Sequence, residues 1–293
     1  MFNFFMIVLE QSLIYLPLAL GAYISFSLLK VPDLSLETAY LIGAFFGATA
    51  LSHVAGYSLL IGFIITMLAS IAGGMLVGLI SSSMTSFGKI PHLLSAIITF
   101  GLFHGFFQFC SPCYQSLALY DNVLMLFPFV TRHPELGALV VSCAIVIVGC
   151  IYLLSTQLGY CFAIFGYNSQ FFKHFNISTS YVFMTGMTVA NGLAGFAGFL
   201  FAQTNNLIEL NMGIGKSLFC ITALILGRSI IKHKKSSIWI PISGVFAYFV
   251  VQQLLLKVGF NLKYFTMVQS LLVLVILLSV YKKDRTHHDQ LGV

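Results

Sequence analysis

The chain has 293 residues, of which 59% are hydrophobic and 8% charged, with a formal net charge of +6 and a mean hydropathy of +0.98. A soluble domain carries about 25% charged residues, so eight acids and fourteen bases cannot solvate a globule of this size, and the chain belongs in a bilayer. A cytosolic enzyme is excluded, and so is a nucleic-acid binder, because the bases are spread over short loops instead of forming one face.

About 20 apolar residues cross the hydrocarbon core as a helix. Such stretches run over 5–28, 38–53, 57–81, 90–110, 135–155, 181–203, 214–231, 238–256 and 264–281. They predict an all-α, polytopic membrane bundle of eight or nine transmembrane helices, in one domain over 1–293. The second and seventh stretches are short, which fits a tilted, broken or re-entrant path. The first contains Glu10, lacks a basic start and reaches Pro32-Asp33 without a small-residue cleavage site, so it reads as a retained span and not as a signal peptide.

With nine spans, alternate loops share one side of the membrane. Lys30, Lys89, Lys173, Arg228, Lys232, Lys234, Lys235, Lys282, Lys283 and Arg285 then fall together, against Arg132, Lys216, Lys257 and Lys263 on the other side. Basic residues concentrate on cytoplasmic loops, which places the C-terminus and its tail, about 282–293, in the cytoplasm and the N-terminus outside. Two ladders of small residues mark close helix packing: Ser70, Gly74, Gly78 and Ser82, and Gly186, Ala190, Ala194, Gly198 and Ala202.

Several motifs suggest chemistry and do not support it. Met212-Gly213-Ile214-Gly215-Lys216-Ser217 ends like a nucleotide-binding loop, but the earlier glycine that loop requires is Leu210 here. Any ATP hydrolysis therefore belongs to another chain. Cys110 and Cys113 have C-x-x-C spacing near an outer mouth; a disulfide is compatible with an oxidising compartment, and a metal site would need two more ligands that the spacing does not supply. The scattered histidines show no metal-ligand or catalytic spacing, and no serine has a basic and a carboxylate partner. The expectation is no catalytic residue, no cofactor and no metal.

Polar groups at membrane depth are more informative, because each is costly unless it meets a partner or a cavity. They are Glu10 and Gln11 in the first span, Asn191 in the sixth, Gln203 at its outer end, and Gln252 and Gln253 in the eighth. Asn191 serves either interhelical bonding or pathway lining. Between the fifth and sixth spans lies the longest cytoplasmic loop, about 157–180, where Asn168 can cap a short helix with Phe171, Phe172 and Phe175 on one face. That helix either docks a soluble partner or lies in the headgroups.

This loop and its neighbours resemble the permease subunits of bacterial ABC importers related to the branched-chain amino acid and ribose permeases, most closely the uncharacterised and tryptophan-type permeases that work with a dedicated binding protein. The likeness extends over nearly the whole chain. It is carried by 9–15, 19–26 and Pro32-Asp33-Leu34-Ser35-Leu36-Glu37 near the start, and by Asn191-Gly192-Leu193-Ala194-Gly195, Ala202-Gln203 and Asn211-Met212-Gly213-Ile214-Gly215 later.

The resemblance implies an inner-membrane permease that pairs with a second copy, most simply as a homodimer surrounded by lipid. ABC ATPase subunits would bind it inside and a substrate-binding protein outside. It makes the loop around Gly166, Asn168, Gln170, Phe171 and Phe172 the coupling segment to the ATPase. Relatives tend to read Gly-Asp-Asn-Pro-Glu there, whereas this chain keeps Gly166 and Asn168 but carries Tyr167, Ser169 and Gln170. Asp33, Glu37, Asn191 and Gln203 are the candidate pathway residues, and the implied cargo is an amino acid, with an aromatic one in view. The rival reading is a stand-alone carrier driven by an ion gradient.

Overall fold

The computed structural model describes residues 2–54, 59–110, 116–118, 134–205, 207–231, 237–261, 264–271 and 273–274. Cys113, and with it the disulfide question, lies outside these residues, as do Arg132, Lys232, Lys234, Lys235, Lys263, the far end of the ninth stretch and the tail at 282–293.

Helix α1 spans Phe2–Ala22 and runs on as a π-helical segment, Tyr23–Leu28. The wide turn ends when Leu29 N–H donates to Ile24 O and Val31 N–H to Ser25 O, with Lys30 in the left-handed region at φ 55°. A break at 29–34 follows, and α2 (Ser35–Val54) leaves it. Helices α3 (Leu59–Ser86) and α4 (His92–Cys110) come next. Helix α5 (Pro134–Ser155) is followed after one residue by α6 (Gln157–Tyr167), then by the single-turn α7 (Phe171–His174). Helices α8 (Thr179–Asn205), α9 (Lys216–Ile230) and α10 (Trp239–Lys257) complete the set, with a further helical stretch at 265–271.

Among the described residues five helices are long and apolar enough to cross a bilayer: 4–28, 61–86, 92–110, 179–205 and 239–257. The α5–α6 pair, bent by 69°, makes a sixth if it counts as one span. The expectation of eight or nine exceeds this because α2 and α9 do not qualify and the ninth stretch is described only in part. Helix α9 has 15 residues, about 22 Å at 1.5 Å per residue, too short for a core of about 30 Å. One departure from the all-helical expectation is a two-stranded antiparallel ladder, β1 (Ser116–Ala118) with β2 (Leu207–Glu209). It joins two connections whose backbone groups would otherwise lack partners.

Helix α8 is the axis of the bundle and the most buried of the five spans. Its two flanks are used differently. Gly186 and Gly198 admit Leu29 and the Tyr40 carbonyl from the α1–α2 side, and the Ala190 carbonyl lies against Gly21 of α1. On the other flank Asn191 and Gly195 lie against the α3 ladder, where a Cβ on Gly195 would come within 2.7 Å of Ser70 O and 2.9 Å of Gly74 Cα. At Gly74, Gly195 and Gly198 the small residues seat backbone on backbone, the contact that holds helices together where lipid removes the hydrophobic drive. Large apolar side chains on the outer faces of α3, α4 and α5, such as Ile64, Leu68, Leu93 and Val148, are exposed, as suits a surface covered by lipid.

Candidate functional site

The break before α2 delivers a carboxylate into the middle of the bundle. Asp33 and Ser35 are buried, as is Asn191 midway along α8. Ser35 N–H donates to Asp33 Oδ1 at 2.8 Å and the Ser35 hydroxyl donates to the same oxygen. Asn191 Nδ2 donates to Asp33 Oδ2 at 2.9 Å and to the Met187 carbonyl at 2.9 Å, and the Ser35 hydroxyl lies 3.1 Å from Asn191 Oδ1. Both carboxylate oxygens thus have donors, the condition under which a buried charge is tolerated. Asp33-Leu34-Ser35 is also a helix-start signature: the aspartate side chain accepts from the N–H two residues on as α2 begins.

Glu37, one turn further, points elsewhere. Its Oε1 accepts the Ser217 N–H at 3.1 Å and so caps α9 from a different helix. Gly215 precedes that helix at φ 81° and supplies no side-chain cap of its own. Beside it, Lys216 Nζ donates to the Tyr15 hydroxyl at 2.8 Å and lies 4.6 Å from the Tyr15 ring centroid, 5.2 Å from that of Phe201 and 5.6 Å from that of Tyr40. The failed nucleotide motif is thus the start of a half-helix whose lysine is held in an aromatic cage, with attraction between ring faces and the ammonium.

The four pathway candidates do not form one cluster. Asp33 and Asn191 bond directly; Glu37 serves the α9 start; Gln203 is twelve residues along α8 from Asn191, about 18 Å by helical rise, and half-buried. Of the other membrane-depth polar groups, Gln253 Nε2 donates to Gln11 Oε1 at 3.3 Å, tying α10 to α1. Sequence reasoning missed Ser35, Tyr15 and Lys216. Lys216 carried a usable signal, since a base at the edge of an apolar stretch with no obvious partner is itself a site hypothesis.

The loop at 157–180 is more helical than expected. Asn168 ends α6, and its Oδ1 accepts the Gln170 N–H at 3.1 Å. Of the expected aromatic face, Phe172 is buried (1% exposed), while Phe171 (39%) and Phe175 (62%) remain outside with ring centroids 4.8 Å apart. Gly166 sits directly on the Leu28 carbonyl, leaving no space for a Cβ. Lys30 Nζ lies 3.9 Å over the Tyr167 ring, so the tyrosine offers that lysine a π-face. Next to this contact, a cleft of about 320 Å³ lined by residues that include Tyr23, Leu28, Leu154, Gly159 and Ile238 opens at the α5–α6 bend. Among the described residues no three His, Cys, Asp or Glu side chains are grouped to hold a metal.

Comparison with known proteins agrees with this architecture. The family described as branched-chain amino acid transport system, permease component, matches residues 4–277. An uncharacterised protein of Rickettsia prowazekii is 29% identical over 294 residues, covering 96% of this chain and 99% of its own length. A tyrosine transport system permease protein of Clostridioides difficile is 30% identical over 231 residues, covering 77% of this chain and 73% of its own. No solved structure matches the chain.

Proposed function

The chain belongs to the family of branched-chain amino acid transport system permease components, and from that premise we propose that it is the pore-forming half of an importer for an amino acid with an aromatic side chain. As a member it is a multi-pass protein of the bacterial inner membrane and a transporter component. The tyrosine permease among its relatives supports the choice of cargo. In this reading two copies form the pore, a substrate-binding protein delivers from outside, and ATPase subunits dock at the α6–α7 end, on the same side as the C-terminus.

The observation that carries the reading is the contact chain from that loop to the buried carboxylate. Gly166 and Tyr167 rest on Leu28 and Lys30; three residues later the same break places Asp33 against Asn191. A push on α6 by a closing ATPase pair reaches the π-helical end of α1 and the start of α2 without passing through a mobile linker. π-Helical segments mark functional positions in many helices, and this one sits where α1 must bend if the α2 start is to move. Two arrangements of this unit, biased by the ATPase, provide alternating access.

The test is co-reconstitution with an ATPase and a binding protein encoded nearby, followed by uptake of radiolabelled tyrosine and tryptophan into vesicles. Uptake that needs all three components and ATP is the expected result. Sustained uptake by the purified chain alone on an ion gradient supports the carrier alternative and overturns the proposal.

A further inference from the structure

The geometry points to a subsite for the zwitterionic head of an aromatic amino acid at the start of α9, formed by Lys216, Glu37, Ser217, Tyr15 and Tyr40. The inference rests on the proposed import function and adds to it the place and chemistry of recognition inside the permease.

Three independent features meet there. The first is charge of both signs. Lys216 donates one hydrogen bond, to Tyr15, although an ammonium has three donors, and Glu37 approaches the first turn of α9 from another element, its Oε1 3.1 Å from Ser217 N. Among the described residues the two make no ion pair with each other. An amino-acid head carries the complementary pair: its carboxylate suits the Lys216 ammonium, and its ammonium suits Glu37.

The second feature is unused polarity. The hydroxyls of Tyr40 and Ser217 are buried, 0% and 2% exposed by residue; they lie beside Tyr15 and Glu37 but make no hydrogen bond of regular geometry among the described residues. Tyr40 stacks parallel to Tyr15, with centroids 6.3 Å apart, so its ring belongs to the cage around Lys216, and Ser217 is the residue whose N–H meets Glu37. A buried hydroxyl whose bond is poorly formed is under-satisfied, and a ligand or a second conformation can complete it. The third feature is the apolar wall. Phe201, Phe219 and Phe249 ring Tyr15 at centroid distances of 5.9, 5.2 and 5.4 Å, a surface on which an aromatic side chain can pack edge-on or offset. In the conformation described the site is filled by its own Lys216, with Gly213 pressed on the Glu37 carbonyl. Entry of a ligand requires α9 to withdraw from α2, and Gly213 and Gly215 stand where that movement would occur.

Saturation-transfer NMR on the permease in nanodiscs reads weak binding without the binding protein or the ATPase. The probes are tyrosine, tyramine, which lacks the carboxylate, and 3-(4-hydroxyphenyl)propionate, which lacks the ammonium. Tyrosine should receive at least fivefold more saturation than either analogue, and Lys216→Met and Glu37→Gln should each remove that excess. Tyr40→Phe, which keeps the ring and deletes only the hydroxyl, should reduce it about twofold, and it preserves the test if a charge variant fails to fold. Equal signals for tyrosine and both analogues, or undiminished tyrosine signal in a folded Lys216→Met or Tyr40→Phe protein, overturns the subsite. If the assembled wild-type transporter imports tyrosine while Lys216→Met retains full binding, the site falls and the import function stands. If the wild-type assembly imports no aromatic amino acid, the function falls with it.

Discussion

Truncating Asn191 to alanine tests whether the start of α2 is held to α8 by a charge-assisted bond. The mutation deletes the donor to Asp33 Oδ2 at 2.9 Å and the second donor to the Met187 carbonyl at 2.9 Å, and it removes the acceptor 3.1 Å from the Ser35 hydroxyl. Ser35 still supplies its N–H and its hydroxyl to Oδ1, so the carboxylate is not abandoned. The Met187 carbonyl also keeps its helical partner, the backbone N–H four residues on. What is lost is one hydrogen bond to a charged group, about 1.5–3 kcal/mol, and one neutral bond of about 1 kcal/mol. The expected destabilisation is therefore about 2.5–4 kcal/mol. A double-mutant cycle with Asp33→Ala isolates the charged bond. Unfolding in mixed detergent micelles should give a coupling of about 1.5–3 kcal/mol if Asp33 is ionised. Neutral interhelical bonds in membranes average about 0.6 kcal/mol, so a coupling at or below that value refutes the claim that the α2 start is fastened by charge. Uptake by the assembled transporter should fall with the same variant, since the break then moves independently of α8.

Phe171→Asp should abolish co-purification with the ATPase while leaving the thermal midpoint within a few degrees, because that ring is 39% exposed; Phe172→Asp places a carboxylate at a position 1% exposed and should lower the midpoint of the isolated permease sharply. Gly195→Ala inserts a methyl 2.7 Å from Ser70 O and 2.9 Å from Gly74 Cα, both backbone atoms that cannot rotate away. It should cost about 1–3 kcal/mol in the same micelle assay, and relief by a second substitution on the outer face of α3 is not expected. Gly215→Ala meets no neighbour within 4 Å, so only the left-handed backbone at φ 81° opposes it, at about 1–2 kcal/mol. Tyrosine binding by that variant, followed by saturation-transfer NMR, should weaken because the start of α9 is displaced.

The amino-acid sequence by itself determined the membrane class, the helical architecture and the family. Runs of apolar residues, the scarcity of charge and motifs such as Asn191-Gly192-Leu193-Ala194-Gly195 are local properties, and a bilayer admits few backbone solutions for them. It also picked out Asn191 as an expensive group at membrane depth, and the family resemblance added Asp33 and Glu37 as pathway candidates and Gly166 and Asn168 as retained loop residues. Only the tertiary structure decided which of these meet. Asp33 and Asn191 are 158 positions apart and bond through the α1–α2 break, whereas Glu37, four residues from Asp33, faces α9, because Asp33 lies in the non-helical break and Glu37 in the first turn of α2. Gln203 lies twelve positions along α8 from Asn191, about 18 Å by helical rise. The buried and exposed sides of Phe172 and Phe171 could not be told from spacing in a helix of one turn. Lys216 read as a loop base and an incomplete nucleotide motif; that three rings from α1, α2 and α8 close around its ammonium depends on how those helices cross, which no local pattern encodes.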